Sequence, residues 1–286
     1  LLLWGALASA GWQTDGLVAD APSPTLGLPV FAHLPLLVNE GGKKLSKRRD
    51  SVAVESYQEQ GYLPDAFVNY LALLGWSPPG GEEIFGVDQL VSEFRLERVN
   101  HSPAFFDIVK LKHMNGEYIR ALSVEAFIEA AQPWLTGPEA PWPPEAFDES
   151  MFIQMAPLVQ ERVALLSEVP DMVDFFFVDE PLIDPDSWDK AFGDEVGPAI
   201  LTAAIPAYES LAADEGAGWR VDALHQATLS IGEQFGRKLG KAQAPIRVAV
   251  TGRRVGPPLF DALAVLGPDR VIARLRSALE RLSLPT

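Results

Sequence analysis

Around Leu45 and Ser46 the chain places five cations in seven positions: Lys43, Lys44, Lys47, Arg48 and Arg49. Lys44 and Lys47 stand three apart, just after the Gly41-Gly42 hinge. Mobile ammonium groups spaced in this way can fold over a polyphosphate and neutralise charge as it develops. The run is conspicuous because the whole chain of 286 residues carries a formal net charge of −16. Taken alone, such a cluster is more often solvated surface than a phosphate site, so its neighbours have to decide.

A second kind of chemistry is suggested by isolated arginines. Between Glu125 and Glu195 there are seventeen Asp or Glu and two cations, Arg162 and Lys190. A lone planar guanidinium in acidic surroundings suits bidentate reading of a base edge better than tracking of phosphates. The plain alternative is a surface salt bridge from Arg162 to Glu161 or Glu168. From Arg237 to Arg281 the balance inverts, with ten Lys or Arg, Arg247 among them, and three acids, Asp261, Asp269 and Glu280. A polyanion would be repelled by the first stretch and drawn to the second. The acidic stretch therefore reads as an outward face and the basic tail as a candidate nucleic-acid surface.

Other chemistry is sparse. No cysteine is present, which excludes disulfides and thiolate zinc sites and fits a reducing compartment. His33, His101, His113 and His225 are too scattered to suggest a metal cluster. No apolar run approaches the roughly 18 residues that span a membrane. The opening Leu1 to Ala10 has the apolar look of a signal core without its Met and basic flank. It reads as the tail of an amphipathic helix whose start precedes residue 1.

The elements that must position these groups are mostly helices. Residues 12–29, rich in Gly, Pro, Ser, Thr and Asp, read as a loop. From Ser51 the pattern turns helical. Pro64 suits a first helical turn, and Ala66, Phe67, Tyr70, Leu71 and Leu74 recur at three and four before Gly75. Ser102-Pro103 has the form of a cap followed by a helix start, and Ser123 precedes a helix with Phe127, Ala130, Ala131 and Trp134. The prolines at 133, 138, 141, 143 and 144 mark a loop or linker. Further helical segments are predicted near 149–169, 195–213, 219–238 and 268–283. Ile246 to Thr251 could be a short strand on pattern alone. Trp76, Trp134, Trp142, Trp188 and Trp219 read as core residues, with no stacking role assigned.

Several motifs in order carry a family resemblance. They are Phe31 to Leu37, the Lys44-Leu45-Ser46-Lys47-Arg48 run, Gly61 to Pro78, Asp107 to Arg120, Leu158 to Leu166, and Ala244 to Gly252 followed by Gly256 to Phe260. Together they resemble bacterial glutamyl-tRNA synthetases, class I aminoacyl-tRNA synthetases, from Phe31 onward. The resemblance implies a mainly α chain: the C-terminal remnant of a Rossmann-like α/β catalytic domain, then helical stem-contact and anticodon-binding domains. The expected bounds are 1–80, 81–138 and 139–286, with a helical bundle from about residue 80, where Ile246 to Thr251 would be helical.

The same resemblance implies the chemistry. Lys44 and Lys47 would be catalytic residues at the phosphates, with Lys47 also binding ATP. Backbone groups of Leu36 and Leu37 would hold the adenine edge. Lys110 would line the inner side of the tRNA, Arg162 would read the third anticodon base, and Arg247 would contact the anticodon. His113 stands where many relatives have Trp, so no stacking is carried over there. ATP with Mg, L-glutamate and tRNA(Glu) are the implied substrates and partners, with no zinc site and no membrane, for a cytoplasmic monomer. The family's His-x-Gly-His motif has no counterpart in these residues, so this chain alone should not activate an amino acid. A catalytically inactive tRNA-binding module of the same origin is the alternative, and an unrelated helical scaffold with an anion-binding tail is a third reading.

Overall fold

The structure, a computed structural model, describes residues 34–45, 53–100, 102–214 and 218–283. The chain divides into two compact units, residues 1–118 and 119–286. Lys47, the 12–29 segment and the apolar opening lie outside the described residues.

The first unit holds a two-stranded parallel sheet. Strand β1 (Leu37–Val38) pairs with β2 (Ala104–Phe105), Leu37 opposite Ala104. The chain then folds back on β1. Asn39 N–H donates to Lys43 O at 2.9 Å and Leu45 N–H to Leu37 O at 3.1 Å. Gly42 sits in this reversal at φ 70°, a conformation that costs glycine little and other residues more.

Helix α1 (Val54–Glu59) and helix α2 (Pro64–Leu73) follow. Pro64 occupies the first turn of α2, as its sequence predicts, because the missing N–H has no intrahelical partner there. Behind α2, Trp76 packs on Ala72, Phe85 and Phe94, beside helix α3 (Val87–Glu93). Asn69 and Tyr70, both on the inner face of α2, tie distant segments to this core. Asn69 Oδ1 accepts the Phe85 N–H at 3.1 Å, and Tyr70 Oη accepts the Asp107 N–H at 2.6 Å.

The helix predicted to start at Ser102-Pro103 starts later. Residues 104–105 are taken up by pairing with β1: the carbonyls of Leu36, just ahead of β1, and of Val38 accept the Ala104 and Phe106 N–H groups at 2.9 Å each. Helix α4 (Ile108–Ala121) begins only beyond them. Its cap is Asp107, whose Oδ1 accepts the N–H groups of Val109 and Lys110 at 2.9 and 3.0 Å, an arrangement that contributes about 1 kcal/mol.

The second unit is all-helical among its described residues. Helix α5 (Val124–Thr136) is capped by Ser123, which accepts from Ala126 N–H. Helix α6 (Glu149–Gln160) starts at Asp148, and the two pack through Phe127 and Phe152. The single segment expected over 149–169 breaks at Gln160. There the Gln160 side chain turns inward and donates to Ile119 O and Leu122 O at 2.8 and 2.9 Å. A turn follows before the short α7 (Val169–Val173), which has Pro170 in its first turn.

Helices α8 (Pro185–Phe192), α9 (Val196–Ala213), α10 (Val221–Gln234), α11 (Leu239–Thr251), α12 (Leu259–Leu266) and α13 (Pro268–Ser283) complete the bundle. Helix α9 packs on α10, α11 and α13. By length and composition it could cross a membrane; here Ile200, Leu201, Ala204 and Tyr208 are buried among the neighbouring helices. Ile246 to Thr251 is helix, its alternation overridden by burial on several sides of α11. Trp76 and Trp142 are core, 4 % and 5 % exposed.

The basic tail is not the uniform surface that its composition suggests. Arg274 is only 5 % exposed. Its guanidinium donates to the carbonyls of Val178, Asp179 and Val250, and Arg270 donates to those of Phe176 and Val178. Both point inward because the 176–180 turn leaves carbonyls without helix or sheet partners, and a guanidinium fork satisfies several of them at once. Burial, and then the neighbouring Arg270 charge, bring the Arg274 pKa down to about 10. The acidic stretch is outward, as expected: every Asp and Glu from Glu125 to Glu195 is exposed except Glu168 and Asp174.

Candidate functional site

Three of the residues expected at the nucleotide, Leu36, Leu37 and Lys44, meet in one hairpin of the first unit. Lys44 lies across from Val38, joined to it by an antiparallel bridge. The strand holding Leu36 and Leu37 and the approach to the lysine loop are thus one backbone structure. The Leu36 carbonyl accepts Ala104 N–H and the Leu37 carbonyl accepts Leu45 N–H. Leu36 keeps 46 % of its side chain exposed, so it is not a core residue, whereas Leu37 is half-buried. Lys43 N–H and the Asn39 side chain close the turn at 3.0 Å. The Lys43 and Lys44 side chains are left at the exposed rim.

Lys110 stands in the first turn of α4, where its ammonium pairs with Glu83 at 2.5 Å. Both side chains are partly exposed, 37 % and 63 %, so the pair contributes little and is exchangeable. His113, on the same helix, is exposed and reaches Glu117 only at 3.9 Å.

The two arginines expected to meet RNA come together in the second unit. Arg162 is exposed in the turn after α6. Its backbone N–H donates to Val159 O at 2.9 Å. Among the described residues its guanidinium has no ion-pair partner, so the surface salt bridge to Glu161 or Glu168 does not form. Glu168 instead accepts the N–H groups of Ala164 and Leu165. Arg247, on α11, donates to Pro257 O at 2.8 Å. Its pKa is lowered, first by burial and then by the positive charge of Arg162. Two guanidinium groups within each other's field repel, and negative charge beside them would offset that repulsion.

The loop around this pair was not legible in the sequence. After α11 the chain turns at Gly252, φ 78°, where a Cβ would come 2.1 Å from Leu182 O. Asp184 N–H donates to Gly252 O at 2.9 Å, and Arg254 N–H to Ser187 Oγ at 3.2 Å. Arg253 reaches the other way, to Asp171 O at 2.5 Å and to the Asp174 carboxylate. Asp174 is buried, and its pKa is raised by that burial against the opposing charge of Arg253. On the outside, Leu182 and Val255 stand 80 % and 71 % exposed, Val255 following Arg254 directly in the chain. A cation next to an uncovered apolar side chain suits a partner with both flat apolar faces and negative charge.

This fold and site place the chain in a known class. The family described as "Anticodon binding domain" matches residues 126–279, more than half of the sequence, and the chain belongs to that family. Residues 24–113 match "tRNA synthetases class I (E and Q), catalytic domain". At the level of particular proteins, the chain is 53 % identical over 254 residues to a glutamate-tRNA ligase of Thermobifida fusca, covering 89 % of this chain and 52 % of that protein. It is 50 % identical over 284 residues to a glutamate-tRNA ligase of Frankia casuarinae, covering 99 % and 55 %. A crystal structure of a glutamate tRNA ligase from Elizabethkingia meningosepticum in complex with its amino acid superposes with a TM-score of 0.73 at 26 % identity, over 90 % of this chain and 52 % of that one. The chain therefore spans about half the length of the relatives it matches.

Proposed function

We propose that this chain is the tRNA-facing half of a glutamate-tRNA ligase, joining glutamate to tRNA(Glu) through a glutamyl-adenylate. The observation that carries the reading is the joint match: a class I catalytic segment at 24–113 ahead of an anticodon-binding family at 126–279. An inactive tRNA-binding module is less favoured, because the β1 hairpin and Lys44 are present in one piece on the catalytic side.

In the proposed reaction the glutamate carboxylate attacks the α-phosphate of ATP, pyrophosphate leaves, and the glutamyl group of the adenylate passes to the tRNA 3′ end as AMP leaves. Lys44 and Lys47 are the catalytic pair, stabilising negative charge that grows on the phosphates. The backbone of Leu36 and Leu37 meets the adenine edge. Their carbonyls accept the N–H groups of Ala104 and Leu45, and each keeps a second lone pair that a ligand donor can use. Among the described residues no three His, Cys, Asp or Glu gather to hold a metal. Mg enters the proposal with ATP, as part of the substrate.

Lys110 meets the tRNA backbone once Glu83 is displaced. Arg162 reads the third anticodon base and Arg247 supports it, with Leu182, Arg254 and Val255 at the rim. We assign 1–80 to the end of the catalytic domain, 81–138 to the stem-contact region and 139–286 to anticodon binding, in a cytoplasmic monomer. The test is glutamate-dependent exchange of pyrophosphate into ATP by the full-length protein, together with charging of a glutamate tRNA transcript. Exchange with another amino acid and none with glutamate would sink the reading.

A further inference from the structure

The loop that carries Pro257 is tied to the bundle at its opposite end by a group that touches no part of the candidate base-reading pair. Arg253 spans from the end of α11 to α7 and the turn after it, donating to Asp171 O at 2.5 Å and to the Asp174 carboxylate. Asp174 is itself fixed, its Oδ1 accepting the Phe175 N–H at 2.7 Å. Two further bonds fasten the same stretch to the start of α8: Asp184 N–H to Gly252 O, and Arg254 N–H to Ser187 Oγ. Thr251 Oγ lies 2.9 Å from Arg247 O and 3.1 Å from Arg253 O, linking the backbone of the helix end to that of the loop. The loop then returns to α11, where Pro257 O holds the Arg247 guanidinium at 2.8 Å.

These contacts form a closed circuit. Arg247 keeps its place because Pro257 does, and Pro257 keeps its place because the 252–254 segment is anchored. Among these anchors the Arg253–Asp174 contact is the charged one, and it is mostly shielded, with 23 % and 13 % of the two side chains exposed. An ion pair so placed loses far more when one partner is removed than an exposed pair does, since the remaining charge is left buried. A guanidinium that reads a base must be held to a fraction of an ångström, which is the work of groups behind it.

We propose that Asp174 and Arg253 are positioning residues for the Arg162–Arg247 pair, setting anticodon discrimination through the 252–257 loop without touching RNA. The proposal rests on the reading of that pair as the anticodon-facing site.

The experiment uses the full-length enzyme and two glutamate tRNA transcripts that differ only in the third anticodon base. Charging efficiency on each is measured for wild type, Asp174→Asn, Arg253→Lys, Arg162→Gln and, as a control at a remote exposed pair, Arg276→Gln. Thermal unfolding and pyrophosphate exchange are followed in parallel. Asp174→Asn is expected to reduce the ratio of the two efficiencies by about fivefold or more, the size of one compromised side-chain-to-base contact, while exchange stays at the wild-type rate. Arg253→Lys, which keeps the charge but loses the fork, should give an intermediate ratio, and Arg276→Gln should leave it unchanged. A lowered melting temperature with an unchanged ratio in both Asp174→Asn and Arg253→Lys would make the pair merely structural and overturn the proposal. If Asp174→Asn does not fold, the Arg253→Lys ratio decides alone. If Arg162→Gln also leaves the ratio untouched, the site itself is misread and the proposal falls with it; if Arg162→Gln lowers the ratio and the clasp variants do not, only the positioning role falls.

Discussion

The positive charge of Arg162, in the turn after α6, helps hold the pKa of Arg247 on α11 below its ordinary value, second only to burial. No carboxylate among the described residues offsets Arg162, and Arg247 is anchored by a neutral carbonyl, that of Pro257. Such a pair is held against its own repulsion by the fold and is relieved by an electron-rich partner.

Arg162→Gln in the full-length enzyme should cost roughly 1–3 kcal/mol of discrimination at the third anticodon base, the contribution of one good bidentate contact. Arg247→Gln should cost less than that on the cognate transcript, and the double variant should fall short of the sum, because neighbouring groups couple. Charging kinetics for the four proteins on two transcripts give the cycle. Equal losses on both transcripts would mean that Arg162 reads no base.

Lys47→Ala should slow glutamate-dependent pyrophosphate exchange strongly, with Kd for tRNA nearly unchanged, since the ammonium acts on charge present mainly in the transition state. Lys44→Ala, at the hairpin edge beside β1, should act in the same direction. An exchange rate within about twofold of wild type for Lys47→Ala excludes the assignment.

Arg274→Ala should destabilise the helical unit by about 3 kcal/mol or more, because it leaves the carbonyls of Val178, Asp179 and Val250 without their donor. Arg274→Lys should recover only part, since one ammonium cannot reproduce the fork. Denaturant unfolding measures both. A loss of tRNA affinity without a loss of stability would restore Arg274 to the nucleic-acid surface.

The pH dependence follows from Asp174. Burial raises its folded-state pKa above the unfolded value, against the charge of Arg253. A carboxyl so shifted binds its proton more tightly in the folded state, so its contribution is present below the unfolded value and lost as pH rises through the folded one. Relative to Asp174→Asn, wild type should therefore lose stability as pH climbs from about 4 through the carboxylate range, then level off. A difference that grows with pH over that range would show that the Arg253 charge outweighs burial.

What the sequence determined by itself was local. Pro64 and Ser123 fixed helix starts because a missing N–H and a side-chain acceptor act within a few residues. The order of motifs around Lys44, Arg162 and Arg247 carried the family, since each motif is contiguous. Tertiary structure alone decided where the charges went. The basic tail as a whole read as a nucleic-acid surface, yet carbonyls from the 176–180 turn, remote in sequence, draw its Arg274 and Arg270 inside. Ser102 lost its cap role because β1 claimed residues 104–105 for a parallel ladder. The Asp174–Arg253 contact and the approach of Arg162 to Arg247 join residues far apart along the chain. Periodicity and spacing report on neighbours along the chain, whereas desolvation and ion pairing depend on which distant segments the folded bundle brings together.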